Sequence, residues 1–274
     1  IGFAIQYPEL KSHNGLVFSH QVSWRFGMQG LFTVDWTGSP FVMFDRVHLI
    51  TLGIILLFNL SFIFLRNSLS ARHRHIFRIG VAVILLINEG AWHLWNLLAG
   101  SWSVQTMLPL HLCSVFVFLT SYMLLTRSSA IYEYAYFLSI VGAMQALLTP
   151  DVGRYGFPHF RYFQTFISHG LLFSMPIYFT IVEGFRPTWR SVVRVLVGMN
   201  LYMLFVGLVN WAIGSNYLFI ARKPETASLL DLLPAWPWYI LTIEAIGILL
   251  ILLLYLPFYI KDCLQRRRAP STQP

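Results

Sequence analysis

Leu108-Pro109-Leu110-His111-Leu112-Cys113 opens the third of seven apolar windows in this chain. The stretch puts an imidazole and a thiol at the start of a membrane-length segment, where polar groups are costly and usually functional. The windows around it cover about 47–66, 77–99, 107–126, 130–149, 160–183, 191–213 and 236–260. Each is close to the roughly 20 residues that an α-helix needs to cross a bilayer. The fold class is therefore all-α, a polytopic membrane protein of seven transmembrane helices. The short gaps between windows make neighbouring helices antiparallel.

Composition agrees. Of 274 residues, 57% are hydrophobic and 11% are charged, against about 25% charged in a soluble domain. The formal net charge is +8, but the basic residues lie in short loops between apolar runs. That pattern sets topology and gives no reason to expect a nucleic-acid partner. One side of the membrane takes Lys11, Arg25, Arg46, Arg154, Arg161, Arg222 and Lys223. The other takes Arg66, Arg72, Arg74, Arg78, Arg127, Arg186, Arg190, Arg194, Lys261, Arg266, Arg267 and Arg268. The richer side is expected to be cytoplasmic, which leaves the N-terminus outside and the C-terminus inside.

Three regions follow. Residues 1–44 form an apolar extension rich in aromatics, among them Phe18, Trp24, Phe26, Phe32, Trp36 and Phe41; it is read as interfacial or partner-contacting. Residues 45–262 form the membrane domain, and 263–274 a basic cytoplasmic tail. The expected location is a bacterial inner or plasma membrane.

Orientation gives each polar residue a depth. Cys113 lies about six residues into span three, roughly 9 Å at 1.5 Å per residue. Glu89, His93 and Asn96 are spaced i, i+4, i+7, so they share one face of span two. Gln145 closes span four, His169 lies in span five and Asn210 closes span six. Glu89, His93, His111, Cys113, Gln145 and His169 thus meet from four helices at one level, which is how sites are built in helical bundles. His111 and Cys113 are about 200° apart on a helix, so a base for Cys113 comes from another helix. His93 and His169 are the candidates.

The ordered motifs carry a resemblance. Leu108–Cys113, Ala146-Leu147-Leu148-Thr149-Pro150-Asp151, Ser168-His169-Gly170, Gly214-Ser215-Asn216-Tyr217, Lys223-Pro224 and Trp236-Pro237-Trp238-Tyr239 resemble the YwaF-like integral membrane proteins. Phe41 to Leu52 is similar to the start of that family, so the resemblance covers about residues 41–260. Its eukaryotic relatives resemble acyltransferases that move a fatty acyl chain between phospholipids. The resemblance implies a catalytic pair, Cys113 and His169. Glu89, His93, His111, Gln145 and Asn210 are then candidates to orient the pair or to donate to an oxyanion. No cofactor or metal is expected, because the ligand-type residues form no compact motif. Membrane lipids are the expected partners. The alternative is a non-catalytic subunit that binds other subunits of a membrane complex through its N-terminal region. The last window holds no lysine, which excludes a retinal protein, and the absence of repeats weighs against a transporter.

Overall fold

The computed structural model describes residues 30–224 and 229–268. Within them the chain is all-helical, with seven long helices. These are α1 (Arg46–Leu65), α2 (Ala71–Leu98), α3 (Leu112–Thr126), α4 (Ser129–Leu148), α5 (Phe160–Ile181), α6 (Trp189–Ile213) and α7 (Trp238–Arg268). Five of them, α1, α2, α4, α6 and α7, are long and apolar enough to cross a membrane. The apolar α3 has 15 residues. The 22 residues of α5 include Arg161, Gln164, Thr165, Ser168 and His169, which dilute its hydropathy.

Local chemistry starts and stops these helices. The Asp45 carboxylate accepts the His48 N–H at 2.7 Å to cap α1. Thr188 and Ser191 form a reciprocal capping box at the start of α6. Gly214 ends that helix with φ +67°, a conformation that only glycine adopts at low cost. Inside α4, residues Ala135–Ser139 form a π-helical turn, a feature that widens the helix and is frequent beside functional sites.

The core centres on Phe62, Leu85, Phe116, Val117, Phe137 and Met175 of α1 to α5, and extends to Val195 of α6 and Ile251 of α7. Helix α2 runs along α3 and α5, α4 packs on α5, and α1 lies outside α5. Helices α6 and α7 attach on the α4 side, and α7 buries least of itself.

The two ends of the bundle differ. At one end, Glu183 collects Arg78 at 2.7 Å, Arg127 at 2.9 Å and the Tyr178 hydroxyl at 3.1 Å. We call this the clasp end. At the other, residues 30–45 form a strap over the end of α2 and the loop between α4 and α5. The strap carbonyls are held from below. Trp95 Nε1 donates to Phe32 O (2.8 Å), His159 Nε2 to Thr33 O (2.9 Å) and Arg154 to Val34 O (2.7 Å). A Cβ on Gly156 would run into the backbone of Ser39 and Pro40, so the strap rests directly on that glycine. Residues 1–29, with Phe18, Trp24 and Phe26, lie outside the described residues.

The third helix departs most from its sequence window. The window opens at 107, but the helix begins at Leu112. Proline restricts the residue before it and lacks an N–H, and residues 100–111 descend into the bundle as turns. Two tyrosines hold this descent. Tyr217 Oη accepts the Leu108 N–H (2.8 Å) and donates to Val104 O (2.7 Å), while Tyr202 Oη donates to Leu110 O (2.9 Å).

Candidate functional site

The descent sets Cys113 as the second residue of a helix that starts inside the bundle. His111 is the N-cap residue, with φ −67° and ψ 148°, yet its side chain makes no capping bond. Its ring packs on Tyr217 and Phe219 instead, with centroids 5.2 Å away in both cases. The first N–H groups of α3, those of Leu112, Cys113 and Ser114, therefore have no side-chain acceptor among the described residues. An uncapped helix start carries partial positive charge and unfilled donors. It is suited to negative charge developing on a sulfur or an oxygen beside it.

The Cys113 thiol is half-buried and free. It lines an apolar crevice with Leu112, Phe116, Leu138, Ser139, Gly142 and Leu172. A Cβ on Gly142 would lie 3.9 Å from Cys113 Sγ, so α4 approaches the thiol through a residue with no side chain. The π-helical turn of α4 supplies Leu138 and Ser139 to this wall. Ser139 Oγ donates to Leu172 O at 2.8 Å and ties the wall to α5.

His169 lies one turn of α5 from Leu172, toward the strap end. Its Nδ1 is 2.8 Å from Thr165 O. A carbonyl only accepts, so Nδ1 carries the proton and the neutral ring leaves Nε2 as a lone pair. Thr165, His169 and Leu172 are spaced i, i+4, i+7 and share a face of α5. The buried Thr165 hydroxyl has no hydrogen-bond partner among the described residues.

Glu89 of α2 is buried and acts electrostatically on the Cys113 thiol. Ser114, His93 and Arg161 are in turn the groups that act on its carboxylate. His93 Nε2 stands 3.7 Å from Glu89 Oε1. Trp102 Nε1 donates to His93 Nδ1 at 3.1 Å, which places the proton of the neutral ring on Nε2, facing Glu89. Arg161 of α5 lies over the Trp92 ring, 4.0 Å from its centroid, and donates to Gln164 Oε1 and to Asp151 O (3.1 Å).

Glu89 and His93 are thus neighbours on α2, and Leu172, one turn from His169 on α5, lines the crevice of Cys113. Asn210 and Gln145 have other places. Asn210 Oδ1 accepts from Ser215 Oγ (2.7 Å) and the Tyr217 N–H (2.8 Å), and its amide donates to Tyr217 O (2.9 Å). It builds the end of α6 and the turn that carries Tyr217. Gln145 is exposed on α4. Two features are not visible in the sequence reading, the backbone donors of α3 and the Arg161–Trp92 pair. The residue before Leu112 was a signal for the first, since His is a poor cap beside Ser, Thr or Asp. Among the described residues, no group of three or more His, Cys, Asp or Glu is arranged to hold a metal ion.

A family model described as the TMEM164 family matches residues 43–255. No curated protein and no solved structure matches the chain. The match spans all seven long helices save the end of α7, and its start, like that of the bundle, lies at the foot of the strap. With multiple membrane-length apolar helices and most of its length matched, the chain is a multi-pass membrane protein and belongs to the TMEM164 family.

Proposed function

We propose that this protein is an intramembrane acyl-transfer enzyme acting on phospholipids, with Cys113 as nucleophile and His169 as base. All seven helices span the membrane in this reading, including the short α3 and the polar α5. The strap end faces outside and the clasp end the cytoplasm. The arginine-rich loops at the clasp end support this orientation. A reporter fused after Pro274 and active only outside the cytoplasm would overturn it.

One observation carries the chemistry. The Cys113 thiol sits at the uncapped start of a helix inside the bundle, in an apolar crevice whose α5 wall, Leu172, is one turn from a histidine with an open Nε2 lone pair. His169 Nε2 takes the thiol proton as the sulfur attacks the ester carbonyl of a phospholipid. The carbonyl oxygen becomes an oxyanion and is met by the first N–H groups of α3. The carbon–oxygen ester bond breaks, and the departing lysophospholipid oxygen takes its proton from His169. That leaves a thioester on Cys113. An acceptor lysolipid hydroxyl then gives its proton to His169 and attacks the thioester, and the released thiolate recovers the proton. The resemblance to lipid acyltransferases with a Cys/His pair supports the same assignment.

The test is the covalent intermediate. Purified protein incubated with acyl-labelled phosphatidylcholine should carry label that neutral hydroxylamine removes. Cys113→Ala should carry none. His169→Gln should slow labelling by about 10²–10⁴-fold, the usual contribution of a general base. An unlabelled wild type, together with an unchanged lipid profile in cells carrying Cys113→Ala, would sink the reading.

A further inference from the structure

Arg161 differs from the arginines that form ion pairs. Arg78 and Arg127 meet Glu183, Arg186 meets Asp262, Arg194 meets Glu133 and Arg154 meets Asp35. The half-buried Arg161 has no carboxylate within ion-pair distance among the described residues. It is held by neutral acceptors, the Gln164 amide oxygen, the Asp151 carbonyl and the face of Trp92. The side chains of Asp151 and Glu89 act on it only from farther away. The planar fork is fixed by stacking and by two hydrogen bonds, with further N–H donors left over. Gln164 is fixed in its turn, because Asn88 Nδ2 donates to its backbone carbonyl at 2.9 Å.

Its position relative to the thiol matters. Arg161 lies in the first turn of α5, eleven residues before Leu172, which lines the crevice of Cys113. The guanidinium is therefore displaced from the thiol toward the strap end. A glycerophospholipid has its phosphate displaced from its ester carbonyls in the same sense, by the length of the glycerol unit. We propose that Arg161, stacked on Trp92 and oriented by Gln164, is the phosphate subsite of the lipid substrate. This inference rests on the acyl-transfer reading for its substrate. The chemistry recognised is a phosphodiester anion, and a bidentate guanidinium is the group suited to it.

The experiment uses the full chain in detergent-lipid micelles with two acyl donors, phosphatidylcholine and diacylglycerol. In Arg161→Gln, the ratio of kcat/KM for phosphatidylcholine over diacylglycerol should fall about tenfold or more, mostly through KM, as expected for one lost charge-assisted contact. Arg161→Lys, which keeps charge but not the fork, should fall between. An unchanged ratio would overturn the subsite. A second readout does not depend on turnover. Retention of a photoreactive phosphatidylcholine should drop in Arg161→Gln, whereas retention of the matching diacylglycerol probe should not follow it. If the wild type turns over neither donor but shows this loss, the chemistry falls and the subsite stands. Displacement of the lipid probe by an equal concentration of inorganic phosphate would make the site one for free phosphate and overturn the lipid assignment.

Discussion

Histidine chemistry in this chain is decided by what holds each ring. His48 accepts the Phe44 N–H at Nδ1 (2.9 Å) and donates from Nε2 to Leu147 O (2.8 Å), so both nitrogens are used and the ring is a structural pin between α1 and α4. His159 is the same kind of pin. It accepts the Arg161 N–H (3.0 Å) and donates to the strap at Thr33 O. His169 differs, because only Nδ1 is engaged among the described residues. The His159 pin has a pH dependence whose sign can be worked out. Burial pushes its pKa down, the charges of Arg154 and Arg161 push the same way, and the bond to Thr33 O opposes them. The folded state therefore prefers the neutral ring more than the unfolded chain does. The stability from this site is complete above the unfolded value of about 6.5 and is lost as pH falls through it toward the folded value. Amide exchange over residues 30–36, corrected for intrinsic rate, should be faster at pH 5 than at pH 7.5. The difference should vanish in His159→Gln. Equal protection of the wild type at both pH values would remove His159 as the strap's pin.

At the scale of helices, most of the chain was legible. Span and helix agree within about two residues at α1, α4, α5 and the ends of α2 and α6, because apolar length and flanking Ser, Asp, Thr and Gly fix such boundaries locally. The start of α3 was not legible to that precision. Pro109 marked a break, but the depth at which the helix resumes is set by Tyr202 and Tyr217, about a hundred residues away in sequence. The site shows the same division. The shared face of Glu89 and His93 could be read from spacing on a single helix, whereas the depth of Cys113 could not, because the residues before Leu112 are not helical. The π-helical turn in α4, the approach of Gly142 to the thiol and the use of Asn210 as a turn builder come from packing between helices, which periodicity does not encode. The strap was legible as apolar and aromatic, but its docking on Gly156 was not, since that contact needs the folded loop between α4 and α5.

For the whole molecule, the clasp end and the strap end have opposite duties. Glu183 is almost wholly buried, 2% exposed at its side chain, and joins α2 through Arg78, the end of α3 through Arg127 and the end of α5 through Tyr178. Ordered this way, the clasp end can hold the helices in register while the other end keeps a thiol, a free imidazole nitrogen and uncapped N–H groups available. The two ends also differ in what a lost charge costs. Removing one partner of a buried pair leaves the other charge unpaired, at about 3–5 kcal/mol, whereas exposed pairs contribute about 0–1 kcal/mol. Arg78 is buried beside Glu183, at 9% side-chain exposure, while Arg186 and Asp262 are 42% and 34% exposed. Glu183→Gln should therefore lower stability by several kcal/mol, moderated by the solvent that reaches Arg127, and Arg186→Gln should barely lower it. Thermal unfolding in one detergent reads both. If the two variants melt together, the clasp is an ordinary surface ion pair, and the rigidity of the bundle around Cys113 must come from apolar packing between α2, α3 and α5 alone.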